Sequence, residues 1–265
     1  MKFLKKLYFI SAFYIMTFII NASDLDLQGN YIQGGLIVGK TDKDTIVFLD
    51  NVLVPKDNNG FFLFGFNRDH SERVILKTID KNKKYFFKEL KIKKRNYNIQ
   101  KINNLQKNKV TPPQKFYDRI NAEQNSIKKA KKTEVKELFY KKGFIIPSKG
   151  IITGVYGSQR ILNGKPKRPH YGLDIANKIG TEVIATSDGI IVLVEEDLYF
   201  SGGTIIISHG QGLTSSYLHL SKILVNVGDQ VYQGQKVGEI GSTGRATGPH
   251  LHWGMEIRGI RIDPN

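Results

Sequence analysis

Short apolar runs closed by turn-forming residues fill the chain from residue 26 onward. Residues 36–38, 45–49, 52–54, 61–66, 73–79 and 85–92 are such runs, and Lys56-Asp57-Asn58-Asn59-Gly60 is the clearest turn between two of them. Runs of this size at this spacing predict a small β-sandwich or barrel over residues 26–98. The pattern then lapses. Residues 99–113 are polar, rich in Lys and Asn, and end in Pro112-Pro113, which predicts a linker. No further Gly or Pro occurs until Gly143. Phe116, Ile120, Ile127, Val135, Leu138 and Phe139 make a sparse stripe in that stretch and predict one long, mostly exposed amphipathic helix. Thr111 is its expected cap, with Pro112 at the first helical position, Gln114 as capping-box partner and Gly143 as the stop. Linker and helix together occupy residues 99–143 and are expected to act as a strut between domains.

From residue 144 the pattern becomes glycine-punctuated β. Residues 151–152, 183–184, 189–194, 204–208 and 230–240 read as strands, with tight turns at Val227-Gly228-Asp229 and Gln233-Gly234-Gln235. A second, β-rich domain is predicted over residues 144–265. The fold class is therefore mainly β: a small N-terminal β domain, a long linker helix and a larger C-terminal β domain.

The first positions break from this pattern. Residues 1–6 include three lysines, residues 7–20 are apolar and uncharged, and Asn21-Ala22-Ser23 follows. A basic start, a short apolar core and a small exit residue predict a signal peptide over residues 1–22. The alternative is an uncleaved N-terminal anchor, although the run is short for a membrane span. Either way the rest is expected outside the cytoplasm, in the periplasm or cell envelope. The chain has no cysteine, which removes thiolate metal sites, disulfides and an acylated-cysteine anchor.

Charge adds a candidate partner. The formal net charge is +16, and in residues 81–109 Glu89 is the lone acid among many lysines. Such a surface attracts polyanions. In an exported protein these are anionic envelope polymer or a membrane surface. No nucleic-acid-binding module is recognisable, and no nucleic-acid partner is expected.

Candidate chemistry is concentrated near the C-terminus. Of six histidines, five follow residue 169: His170, His209, His219, His250 and His252. On a strand, His250 and His252 share a face while Leu251 turns into packing. The glycine-rich stretch at residues 241–248 before them lets backbone approach a ligand closely. His170 and Asp174 stand about 13 Å apart in a fully extended strand, too far to share an ion, so a bend is expected at Gly172. His170, Asp174 and His252 then meet the requirements of a catalytic zinc site, with a fourth position left for the water that attacks a peptide carbonyl. His219 and His250 are not needed as ligands and suit proton transfer or oxyanion stabilisation. His209, at the end of an apolar run, is expected to be structural. Arg68-Asp69-His70 reads as a loop ion pair rather than a catalytic trio.

Taken together, these residues resemble the lysostaphin/LytM-type zinc endopeptidases that cut cell-wall peptidoglycan. The resemblance covers residues 145–264. It rests on His170-x-Gly172-x-Asp174, Ser216-Tyr217-Leu218-His219-Leu220-Ser221, Val227-Gly228-Asp229, Gly241-Ser242-Thr243-Gly244, Thr247-Gly248-Pro249-His250-Leu251-His252 and Asp263-Pro264. It implies one zinc on His170, Asp174 and His252, catalytic roles for His219 and His250, a groove over the metal, and peptidoglycan peptides as substrate. The longer stretch at residues 162–169 is similar to Gram-negative envelope versions and is placed at the groove edge. Relatives cut Gly-Gly bridges or D-Ala–diaminopimelate links, and the Gram-negative character favours the latter. The competing expectation is a non-catalytic envelope protein of the same fold that binds murein or activates another hydrolase. Such proteins usually lack one or more of the metal ligands, and this chain has all five polar groups.

Overall fold

A computed structural model describes residues 25–265, so the signal-type segment 1–22 lies outside the described residues. Strands β1 (Asp26–Gly29), β2 (Leu36–Lys40), β3 (Ile46–Leu49), β4 (Val52–Leu53), β5 (Phe61–Gly65), β6 (Arg73–Ile79) and β7 (Tyr85–Lys91) make two small antiparallel sheets, ordered β1-β2-β5 and β4-β3-β6-β7. Two-residue alternation along β6 sends Val74, Leu76 and Thr78 inward and Arg73, Ile75 and Lys77 outward. Between the sheets Phe62 stacks on Phe64 and Phe64 meets Phe66 edge-on, with centroids 6.2 and 5.7 Å apart. Leu63 points the other way, into the core of the C-terminal domain. Gly65 is needed there, because a Cβ on it would come within 2.8 Å of methyl groups of Ile262 and Ile257. Arg95 and Asp263 close the same junction with a 2.6 Å ion pair.

Residues 99–143 depart from the expected linker and strut. Ile99–Ile102 forms strand β8, which pairs in parallel with β10 (Gln159–Leu162) of the C-terminal domain. Lys107–Val110 is a one-turn helix, α1, and Thr111 ends it rather than capping the next helix. The main helix, α2, is confined to Tyr117–Lys131, and its N-terminal residue Phe116 provides no side-chain cap. It is docked rather than exposed on all sides. Ile127 and Ala130 pack on Val192, Leu193, Leu198 and Ile206, and Glu123 accepts a 2.8 Å hydrogen bond from the Tyr199 backbone. Beyond Lys131 the stripe drifts out of phase with that surface, and Leu138 packs on the larger core instead.

The C-terminal domain continues with β9 (Ile151–Gly154), β10, β11 (Lys165–Pro166), β12 (Leu173–Ala176), β13 (Glu182–Ile184), β14 (Gly189–Leu198), β15 (Gly202–Ser208), β16 (Leu213–Ile223), β17 (Gln230–Val231), β18 (Lys236–Ile240), β19 (His250–Ile257) and β20 (Ile260–Ile262). Its large sheet runs β17-β14-β15-β16-β19-β12-β9, with β18 beside β16 and β20 beside β19. Leu173, Ile175, Tyr217, Leu251 and Trp253 turn one face of β12, β16 and β19 into the core. Alternation leaves the opposite face of the same three strands for polar groups.

His209 belongs to the core side. Its Nδ1 donates to the Asp188 carbonyl at 2.7 Å, and its Nε2 lies 2.8 Å from Ser215 Oγ. Burial pushes its pKa down to about 4. A group whose folded pKa lies below its unfolded value of 6.5 adds stability that is present above pH 6.5 and is lost as pH falls toward 4. Two and a half pH units correspond to roughly 3 kcal/mol. Chemical denaturation between pH 7 and pH 4 is expected to show wild type losing about that much more stability than His209→Gln. Parallel pH profiles for the two proteins would refute a buried neutral imidazole here.

Candidate metal centre

The site is assembled on three adjacent strands. β12 and β19 pair with Asp174 opposite His252 and Ala176 opposite His250, and Leu218 of β16 sits opposite His252 on the other side. His170 precedes β12 and is brought back over it by the bend at Gly172. The glycine is required for clearance rather than for backbone freedom. A Cβ on it would lie 2.5 Å from the Trp253 carbonyl oxygen and 2.8 Å from the His252 ring.

Three donor atoms converge. His170 Nε2 lies 2.9 Å from His252 Nδ1 and 2.9 Å from Asp174 Oδ1, and His252 Nδ1 lies 2.8 Å from Asp174 Oδ1. His170 Nδ1 donates to the Val155 carbonyl at 3.1 Å, which fixes the tautomer and leaves Nε2 with its lone pair toward the centre. Burial raises the Asp174 carboxyl, but the close approach of the His170 and His252 rings outweighs it and leaves the group well below the ordinary carboxylate range. Burial holds His252 down to about 4, so its imidazole is neutral. Two neutral imidazoles and an ionised carboxylate facing one point form a donor set for a cation. Tetrahedral zinc with ligands at about 2.0–2.1 Å has donor-to-donor edges of about 3.3 Å, so the triangle needs to open by only about 0.4 Å to fit.

The other carboxylate oxygen is engaged elsewhere. Asp174 Oδ2 pairs with Arg160 of β10, and Arg160 Nε donates to Gln100 Oε1 of β8 at 3.2 Å. A Cβ on Gly154 would sit 2.6 Å from Oδ2, so that oxygen is enclosed and only Oδ1 faces the centre.

His219 and His250 stand beside the triad, ring centroids 4.8 Å apart, and His219 is 6.4 Å from His252. His219 has a φ of +67°, an uncommon backbone for a non-glycine residue. The pairing of β15 with β16 slips register next to it, and this bulge re-aims the imidazole out of the ladder. Its Nδ1 donates to the Thr243 carbonyl at 2.8 Å, while Thr243 Oγ1 anchors the glycine-rich loop by accepting from Gly203 N and donating to Leu220 O, both at 3.0 Å. Burial, aided by His250 and His252, pushes the His219 pKa down to about 3. His250 Nδ1 donates to the Gly248 carbonyl at 2.9 Å, and its Nε2 lies 3.9 Å from Asp174 Oδ1. Both rings therefore keep Nε2 free along an open groove of about 250 Å³.

All five residues singled out in the sequence come together. His209 and the Arg68–Asp69 pair lie apart from them, and His70 packs edge-on against Phe66. The sequence does not point to Arg160 or Gln100, and it shows Thr243 only as part of the Gly241–Gly244 motif. No local spacing relates Gln100 or Arg160 to the histidines, since their contact arises from a parallel strand pairing. Of residues 162–169, placed at the groove edge by the resemblance, Leu162 lines the groove.

A β-sheet domain whose central strands present a His/Asp/His cation site flanked by two further imidazoles defines a metal-dependent hydrolase scaffold. Residues 168–264 match the family model described as Peptidase family M23 and form a peptidase M23 domain of the LytM/lysostaphin type. A peptidoglycan DD-endopeptidase of Vibrio cholerae, ShyA, is 47% identical over 95 residues, covering 36% of this chain and 22% of that protein. ShyB of the same organism, also a peptidoglycan DD-endopeptidase, is 36% identical over 152 residues, covering 56% of this chain and 32% of its own. The matched segments thus span between a fifth and a third of these relatives. A crystal structure of a putative peptidase M23 from Pseudomonas aeruginosa shares the fold, with a TM-score of 0.66 over 89% of this chain and 93% of that one at 24% identity.

Proposed function

We propose that the chain is an exported zinc endopeptidase that hydrolyses peptide cross-links of peptidoglycan. The observation that carries this reading is the convergence of His170 Nε2, Asp174 Oδ1 and His252 Nδ1 within 2.9 Å of one another, beside two imidazoles with free Nε2 atoms. A zinc ion held by those three atoms supplies Lewis acidity to a water molecule and to the scissile carbonyl. His219 and His250 divide two tasks at their Nε2 atoms: taking the proton released by the attacking water, and bonding the oxyanion that forms on the carbonyl. Arg160 orients Asp174 through Oδ2. The groove admits an extended peptide along the site. The basic segment 81–109 adds a surface for anionic envelope polymer, which retains the enzyme on its insoluble substrate. The complete set of five polar groups favours this reading over a non-catalytic murein binder.

The test is digestion of purified sacculi by the zinc-loaded mature chain. Soluble muropeptides whose masses correspond to opened cross-links are the expected product, and chelation is expected to stop their release. Sedimentation of the protein with sacculi is expected to fall as salt rises. Intact cross-links after prolonged digestion would defeat the hydrolase reading. Salt-independent sedimentation, or recovery of the protein in the cytoplasmic fraction of cells, would defeat the polymer and export readings respectively.

A further inference from the structure

The groove carries more positive charge than the metal centre explains. Asp174 is the only carboxylate among its lining residues, and it is committed to His170, His252 and Arg160. Arg245, in the glycine-rich loop, lines the same groove. Among the described residues it has no carboxylate partner. Its guanidinium lies over the Phe200 ring, 4.7 Å from the centroid, and Nη1 donates a long 3.4 Å hydrogen bond to the Lys109 carbonyl.

The loop that presents it is rigid. Arg245 N donates to the Phe200 carbonyl at 2.8 Å. Gly244 has a φ of +68°, and backbone atoms of Gly202, Phe200 and Ser201 come within 2.8 Å of where its Cβ would be. Burial and the nearby Arg160 both disfavour the charge on Arg245, pushing its pKa down. A half-buried guanidinium held in place without a counter-ion is a costly arrangement, and an arriving anion relieves it.

We propose that Arg245 is a carboxylate-binding subsite that receives a free carboxylate of the peptide substrate next to the scissile bond. This rests on the peptidase reading above and sharpens it. The substrate is then an anionic cross-link, such as one made through diaminopimelate, and a neutral glycine bridge leaves the guanidinium unsatisfied. A site that bonds a charged group rejects the analogue lacking it far more strongly than an apolar pocket rejects a missing methylene.

Two probes test this: a D-Ala–diaminopimelate cross-linked muropeptide dimer, and the same dimer with the free diaminopimelate carboxylate converted to its amide. Wild type is expected to cleave the carboxylate dimer with a kcat/KM at least about tenfold above the amide, mainly through KM. Arg245→Gln is expected to lose that preference, its kcat/KM on the carboxylate dimer falling at least about tenfold toward that on the amide, and Arg245→Lys to keep part of it. Calorimetric binding of both dimers to the full-length His219→Ala protein, with and without Arg245→Gln, reads the same preference without turnover. Equal cleavage of both dimers by wild type would overturn the proposal, as would an equal fall on both in Arg245→Gln. Should wild type cleave neither, the peptidase reading fails and binding decides. Weaker binding of the amide then sustains the carboxylate site, and equal binding removes it.

Discussion

Asp174→Ala is expected to purify without bound zinc and to leave sacculi intact. The carboxylate is the only charged member of the donor set, and its Oδ1 lies 2.8 Å from His252 Nδ1 and 2.9 Å from His170 Nε2. Removing it leaves two neutral imidazoles, which hold a divalent ion far less firmly than a set that includes a negative charge. Loss of a group that merely supports a ligand costs roughly 10–100-fold in metal affinity, so loss of the ligand itself should exceed that. Elemental analysis of the purified variant against wild type is the direct measurement, with muropeptide release as the second. The fold should survive in large part, because Ile175 and Leu173 on the same strand remain in the core. Arg160 loses its partner, so Asp174→Asn serves as a control that keeps the shape. A fully zinc-loaded and active Asp174→Ala protein would show that the ion, if any, binds elsewhere.

The imprint of this site on the sequence is uneven. His250 and His252 are legible together because strand alternation is a local property, and β19 obeys it. The need for a bend between His170 and Asp174 follows from chain geometry, and the structure has one. The reason glycine occupies position 172 was not legible, since it lies in the His252 ring and the Trp253 carbonyl of a distant strand. The helix was overextended for a related reason. A stretch free of Gly and Pro marks where a helix is permitted, whereas its end is set by how far Ile127 and Ala130 can stay on the β14–β15 surface. Residues 99–102 open a stretch whose Lys- and Asn-rich composition predicts a linker. They form a strand because Gln159 to Leu162 offer a free edge for parallel pairing, and the two isoleucines, Ile99 and Ile102, are too few to mark a strand by themselves. That same pairing delivers Gln100 to Arg160, so the groups supporting Asp174 were hidden while Asp174 itself was not.

His219→Ala and His250→Ala should separate chemistry from metal binding. Neither ring belongs to the convergent triad. His219 is tied to the Thr243 carbonyl and His250 to the Gly248 carbonyl, each through Nδ1, so neither is oriented by the ion. Zinc content in both variants is expected to stay close to wild type. Turnover of sacculi or cross-linked dimers is expected to fall by about 10²–10⁴-fold in each, the range set by losing one general acid–base or oxyanion-stabilising group. The fall should appear in kcat more than in KM, because these Nε2 atoms act on charge that develops only in the transition state. His219→Ala carries a second consequence. It leaves a non-glycine residue at a φ of +67° and deletes the bond that ties β16 to the glycine-rich loop, so circular dichroism and thermal melting should accompany the kinetics. The double variant should be little worse than the more damaged single one if the two imidazoles serve one transition state as a unit. Loss of zinc from either single variant in step with its activity would instead make that histidine a ligand, and the division between three metal-holding groups and two proton-handling ones would have to be redrawn.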